Sequence, residues 1–462
     1  MFSFILTPLY ATPGVLNLVE YKQVAIIFSW LVFFNVILAY GMETAFFRFY
    51  NTEDKKKVLS TSTISLFWSS LCFLFIALML RNTLAEAANI DVEYVTYTIW
   101  VLVLDALVII PFSKLRAQGR PIFYALVKIG NVGLNLALNV FFLIFLPRLG
   151  TAYPESFWAS LYVHDFEVGY VFVANVISSL ATLLVLLPHY LRLSWHFDME
   201  LWRRMMKYAL PVMVAGIAFA INETFDRILL DFMKVSEDKI GSYSACYKLS
   251  LFMTLFATAF RLGIEPFFFS HAKNENAQQT YAVITKFFVI FGSAILLGVI
   301  VFADLLKPLI MPNPEYWKAM DVVPLIVMGN FFLGIYHNLS VWYKLSDKTR
   351  IGANISLVGA AVTLILNFAL IPVWGYMGSA TATIAAYGTM MGISYFLGNK
   401  YYPIPYDMKK ICGYLFVSTA LSMVYFYCFR ENYYVGVGVL IIFAAFLYKN
   451  EKETLLRIAK RK

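Results

Sequence analysis

The sequence predicts an all-α polytopic membrane bundle of about 14 spans, the first one partial, in two pseudo-repeated six-helix lobes plus two C-terminal helices. Three observations carry this prediction. Of 462 residues, 60% are hydrophobic and 14% charged, against about 25% charged in an ordinary soluble domain, and the mean hydropathy is +0.70. Apolar stretches of spanning length recur along nearly the whole chain. A short motif returns at an offset of 222 residues. A soluble protein could not bury this much apolar surface. The composition excludes a soluble enzyme, a disordered chain, a disulfide scaffold and a nucleic-acid binder.

A helix needs about 20 apolar residues to cross the hydrocarbon of a bilayer. Full stretches lie at 22–46, 58–80, 95–113, 121–146, 167–189, 207–230, 243–269, 281–303, 321–343, 352–373, 376–398, 410–429 and 433–448. The last is short enough to be interfacial. Residues 1–16 are apolar but too short to span, with no basic n-region and no small-residue cleavage site. They read as the second half of a first helix, so the expectation is a reading frame that begins upstream of Met1 or an unusually short first helix. The breaks carry turn chemistry and charge, as in Asn51-Thr-Glu-Asp-Lys-Lys-Lys57. Strict period-two alternation is absent, which excludes a barrel.

Orientation follows from Lys and Arg. Segments 48–57, 114–120, 192–207, 273–286, 344–350, 400–410 and the tail from 449 hold 25 of the 37 basic residues, and the opposite side holds 8. The asymmetry alternates loop by loop and predicts a multi-pass protein with a cytoplasmic C-terminus. It accounts for the net charge of +9 without any nucleic-acid partner.

Residues 19–49 and 241–271 share Tyr21/Tyr243, Gly41/Gly263, Glu43/Glu265, Phe46/Phe268 and Phe47/Phe269. Both segments close even-numbered spans, so the offset equals six spans and preserves orientation. The predicted organisation is an N-terminal lobe at 1–190, a C-terminal lobe at 207–398, two extra helices at 410–448 and a basic tail at 449–462. Repeated halves are a transporter habit, with the substrate site near the repeat interface.

Tyr40-Gly-Met-Glu-Thr-Ala-Phe-Phe-Arg-Phe49, Asp226-Arg-Ile-Leu-Leu230 and Glu265-Pro-Phe-Phe-Phe269 resemble the polysaccharide (O-antigen-type, Wzx-like) flippases of the multidrug/oligosaccharidyl-lipid/polysaccharide exporter superfamily. The resemblance implies a two-lobed bundle with a central cavity in the bacterial inner membrane. It would move a polyprenyl-pyrophosphate-linked oligosaccharide from the inner to the outer leaflet for surface polysaccharide such as lipopolysaccharide. Implied partners are the lipid-linked oligosaccharide, membrane lipids, H⁺ or Na⁺ as coupling ion, and other polysaccharide-assembly proteins. No cofactor is implied.

Ionisable residues inside spans are costly and by default mark a pathway. The bases are Lys128, Arg227, Lys248 and Arg261, with Arg48 at a helix end. The acids are Glu43, Asp105, Glu223, Asp226, Asp231, Glu265 and Asp304, of which Asp231 and Asp304 sit near span ends and read as solvated. Glu223, Arg227 and Asp231 stripe one face of the seventh span, with Asn222 and Asp226 beside them. They read either as an ion-paired brace or as a cavity wall with an acid left over for a coupling ion. Lys128, Asn131, Asn135 and Asn139 share a face of the fifth span and suit a wetted wall facing sugar hydroxyls; helix–helix glue is the alternative. Asp105 has the spacing to pair with Lys128, and Arg261 with Glu265. The expected substrate-binding set is therefore Lys128, Asn131, Asn135, Asn139, Arg227, Lys248, Arg261 and Arg48. The expected ion-coupling set is Glu223, Asp226, Asp105, Glu43 and Glu265.

The four cysteines have no paired spacing, the five histidines form no metal-binding pattern, and no phosphate-binding G-x-x-x-x-G-K-[ST] loop occurs. The expectation is a transporter, not an enzyme, with no catalytic residue and no metal. A multidrug or cation antiporter of the same fold is the alternative, and a membrane polysaccharide polymerase or ligase a further one. The outer connection near 147–166 leaves little room for a catalytic site.

Overall fold

The computed structural model describes residues 2–271, 274–346 and 348–459; the end of the predicted basic tail, 460–462, lies outside them. The described residues form helices and connections, with no strand. After the short α1 (Phe2–Tyr10), the long helices are α2 (Leu18–Ala39), α3 (Lys55–Met79), α4 (Val92–Ala117), α5 (Pro121–Val140), α6 (Glu167–Leu191), α7 (Met199–Phe232), α8 (Leu251–His271), α9 (Ala277–Val301), α10 (Val323–Leu339), α11 (Thr349–Trp374), α12 (Tyr376–Tyr401), α13 (Met408–Cys428) and α14 (Tyr433–Ala459). Among the described residues, eleven helical segments are long and apolar enough to cross a membrane. Stretches 243–269 and 376–398 are helical as well but are not among the eleven.

Local chemistry sets the helix ends. Asn17 caps α2: its side chain accepts from the amides of Val19 and Glu20 at 2.9 Å, and Glu20 accepts from the Asn17 amide at 2.7 Å, a reciprocal capping box. Asp54 caps α3 through the amides of Lys56 and Lys57. Pro121 opens α5, where its missing N–H costs nothing. Helix α5 ends in a π-helical turn, Phe141–Phe145. Side chains on the outer faces stay apolar, as with Ile122 and Phe416, each 75% exposed. Lipid can cover such positions.

The chain divides into two compact units, Met1–Ile228 and Leu229–Lys462. Within the first, α4 packs against α2, α3, α5 and α6, and α5 packs on α6. Within the second, α10 packs against α8, α9 and α12, and α11 packs on α12; α13 and α14 lie on α9. In the second unit Asp304 is not solvated as expected but has a side chain only 7% exposed, and it accepts two bonds from Arg430 (2.8 and 2.7 Å) and one from Lys307 (2.6 Å). At the other end of these helices Glu451 of α14 accepts from Lys286, Lys410 and Tyr414.

Gly41 sits where α2 breaks. Its φ is +72°, and an added Cβ would lie 2.3 Å from the Ala209 carbonyl oxygen of α7. A backbone atom cannot swing aside, and the left-handed conformation disfavours any side chain. Gly41→Ala is expected to cost roughly 2 kcal/mol or more, read as lower membrane abundance and a lower unfolding temperature in detergent.

Burial alone would raise the Asp304 carboxyl, but the bonds and charges of Arg430 and Lys307 outweigh it and hold the group below its ordinary value. A depressed carboxylate stabilises the fold above its unfolded pKa of about 3.9, and that contribution is lost as pH falls through the lower folded value. Asp304→Asn is expected to lower stability by roughly 1–3 kcal/mol at neutral pH and to flatten its acid dependence. Unfolding followed in detergent from about pH 7 down to about pH 3 checks both.

Candidate functional site

The first unit carries a half-open cavity of about 710 Å³ lined by α1, α2, α4, α5 and α6 and by the short helix Met42–Tyr50. Ligand sites usually measure about 300–1,000 Å³. The polar part of its wall is built mainly by α5 and α6. Asn131 donates to the Ser178 carbonyl (3.0 Å) and to Thr182 Oγ1 (2.9 Å), and Asn135 donates to Ser178 Oγ (3.1 Å). Asn131 spends both amide hydrogens on α6, and the Asn135 oxygen accepts from the Asn139 amide at 3.1 Å. Asn35 and Asn175 complete this lining.

Four charged residues face the same space. Glu43 pairs with Arg116, and Ser113 Oγ lies 3.5 Å from Glu43. Asp105 accepts from Ser179 at 2.8 Å; its expected partner Lys128 acts on it electrostatically but forms no ion pair with it. Lys128 is exposed, and its Nζ lies 4.5 Å from the Phe112 ring centroid. Among the described residues no carboxylate forms an ion pair with Lys128.

Five residues singled out from the sequence thus share one cavity: Lys128, Asn131, Asn135, Asp105 and Glu43. Asn139, on the same face of α5, is fully buried and accepts from Tyr10 of α1 at 2.9 Å. It joins two helices at the end of the stripe. Arg48 is exposed, with its guanidinium 4.3 Å from the Tyr208 ring centroid. On α7, Glu223 is exposed, whereas Asp226 and Arg227 are buried, with the Arg227 amide donating to Asp226 Oδ1 at 2.9 Å.

In the second unit Lys248 lies in a 3-10 turn, Tyr247–Ser250, ahead of α8. Arg261, Glu265, His337 and Lys344 surround a small recess. Glu265 bonds Lys344 at 2.6 Å, and not Arg261 one turn before it. Among the described residues, no three or more of His, Cys, Asp and Glu gather as a metal site. Sequence reasoning assigned no site role to Arg116, Asn35, Asn175, Ser178, Ser179, Thr182 or Lys344. Arg116 and Lys344 were legible only as basic residues of loop segments.

The family model for polysaccharide biosynthesis proteins matches residues 1–260. No curated protein sequence matches the chain significantly. Among solved structures the chain is similar to the lipid II flippase MurJ in an inward closed conformation, with a TM-score of 0.75 and 15% identity over 97% of this chain and 96% of that one. It is also similar to an inward-facing multidrug resistance MATE family transporter of the MOP superfamily, with a TM-score of 0.61 and 14% identity over 90% and 95%. A Vibrio cholerae MATE transporter, VcmN D35N, gives 0.54 and 14% over 86% and 92%. At these identities the likeness shows the fold: that of multi-pass membrane transporters.

The two outer asparagines separate glue from wall. Asn139→Ala leaves the buried Tyr10 hydroxyl without its acceptor and is expected to cost about 1–3 kcal/mol. Asn131→Ala, at the half-open cavity surface, is expected to cost less than about 1 kcal/mol. Unfolding temperatures of the two purified variants give the comparison.

Proposed function

Because this chain belongs to the polysaccharide biosynthesis protein family, we propose that it flips a polyprenyl-pyrophosphate-linked oligosaccharide from the inner to the outer leaflet of a bacterial inner membrane, with its C-terminus cytoplasmic. The observation that carries this reading is the polar cavity in the first unit, with a lysine that forms no ion pair among the described residues, on a wall of amides and hydroxyls. A pyrophosphate cannot cross hydrocarbon unaided. Opposite unit charges 4 Å apart attract by about 4 kcal/mol at an effective dielectric near 20, so a few such contacts offset part of the lost hydration without trapping the ligand. Lys128 supplies one. The acceptor oxygen of Asn131 suits a sugar hydroxyl, while the polyprenyl tail stays in lipid.

In this reading the lobes expected at 1–190 and 207–398, of six spans each, rock to alternate access, with two extra helices at 410–448. Arg227, Lys248, Arg261 and Arg48 serve as further anion contacts along the path. Glu223, Asp226, Asp105, Glu43 and Glu265 are candidates for binding the coupling ion, H⁺ or Na⁺. Other polysaccharide-assembly proteins deliver the substrate and receive the product. The similarity to MATE transporters raises a second reading, a cation antiporter. Lys128 on the cavity wall disfavours a cationic cargo there.

The test is Lys128→Gln, scored for membrane abundance and surface glycan. Normal abundance with surface glycan reduced about tenfold or more, corresponding to the loss of one charge contact of roughly 1.4 kcal/mol, is the expected outcome. Normal export at normal abundance removes Lys128 from the site. Lost abundance moves it to a structural role.

A further inference from the structure

The two repeat glutamates, Glu43 and Glu265, each end in an ion pair with a base at or just past the end of the helix two spans later. Glu43 meets Arg116 in the last turn of α4. Glu265 meets Lys344, just beyond α10. The pairing is duplicated although the base differs in type and does not keep the 222-residue offset. The same kind of contact therefore stands at the corresponding glutamate of each unit.

The first pair is built to open. Its side chains are 40% and 45% exposed, and an exposed ion pair contributes little to stability. Both members line the cavity that holds Lys128. Each also has somewhere to rest when parted. Glu43 lies in the first turn of Met42–Tyr50, where the helix end favours a carboxylate, and Ser113 is beside it. The Arg116 guanidinium lies 4.7 Å from the Phe47 ring centroid and 5.5 Å from that of Tyr124. These aromatic faces hold it at the cavity wall without help from Glu43.

We propose that Glu43 is a resident counter-ion of Arg116, displaced when the pyrophosphate group of a lipid-borne substrate enters the cavity. Arg116 and Lys128 then form the anion site together, and Glu43 sets its affinity by competing for Arg116. Arg116 can grip a phosphate with two parallel N–H bonds while Lys128 acts as a point charge. The competing carboxylate prevents the site from holding the headgroup too tightly for release. The inference rests on the reading of this cavity as the headgroup site.

The experiment measures binding of inorganic pyrophosphate to the purified full chain in detergent at fixed ionic strength, with farnesyl diphosphate as competitor. Glu43→Gln is expected to tighten binding by about two- to fivefold, the range that an exposed pair can contribute, while Arg116→Gln and Lys128→Gln weaken it. Glu53→Gln is the control, because Glu53 forms a comparably exposed pair with Arg204 and does not line the cavity. Where Glu43→Gln does not yield folded protein, Glu43→Ala, which also removes the carboxylate, is read in the same way. No pyrophosphate binding by the unaltered chain, or binding indifferent to Lys128→Gln, overturns the headgroup reading and this inference together. Binding that needs Lys128 but is unmoved by Glu43→Gln, or is tightened equally by Glu53→Gln, overturns the counter-ion role alone. Failure of farnesyl diphosphate to compete overturns the lipid-borne source of the anion.

Discussion

Hydrocarbon offers no hydrogen bonds, so every polar group inside the span region must find its partner within the protein or along a wetted path. The architecture follows from that constraint. Backbone groups are satisfied by helices, and the outer faces carry Ile, Leu and Phe because nothing polar is tolerated there. The polar side chains that remain turn inward. Inside the first unit they meet face to face: the amides of α5 bond the hydroxyls and a carbonyl of α6, and Asp105 of α4 is held by Ser179. A wall assembled in this way is both the glue between helices and the lining of a cavity. One set of hydrogen bonds therefore fixes the shape of the site and its chemistry.

The same stripe changes role along its length. Asn131 and Asn135 line the cavity, whereas Asn139, one turn farther, is sealed against Tyr10. Next to it α5 widens into the π-helical turn Phe141–Phe145. Such turns interrupt the regular ladder and often lie at functional sites. Here it follows directly on the point where the polar wall stops.

Much of this was legible in the sequence. Run length alone located every long helix, because the bilayer fixes span length more tightly than soluble packing fixes anything. The Lys128–Asn139 face was legible because charged and amide residues are rare in spans. The facing wall was not. Ser178 and Thr182 bond back to carbonyls in their own helix, so serines and threonines are tolerated in any apolar helix, and only the position of α5 shows that these two face asparagines. Stretch 243–269 reads as one span, yet it breaks at Tyr247–Ser250 with neither glycine nor proline there. The break is held by Ser250, which bonds the Tyr247 carbonyl and accepts from Asn330 of α10. That partner is remote in sequence, and a local reading cannot find it.

The repeat shows what has been held constant and what has not. Gly41 takes φ +72° against the Ala209 backbone, whereas its counterpart Gly263 lies inside the continuous helix α8 with nothing near its missing Cβ. The glycine match in the motif therefore reflects two different local structures. The glutamate match reflects the same contact twice, made to Arg116 in one unit and to Lys344 in the other. Since the identity and the offset of the base both differ, the shared feature is a carboxylate near the end of one span facing a cation near the end of another. Coulomb attraction depends on charge and distance, not on which base supplies the charge. The charge contact recurs where the backbone beside it differs, so what the two units share at these helix ends is electrostatic and not conformational.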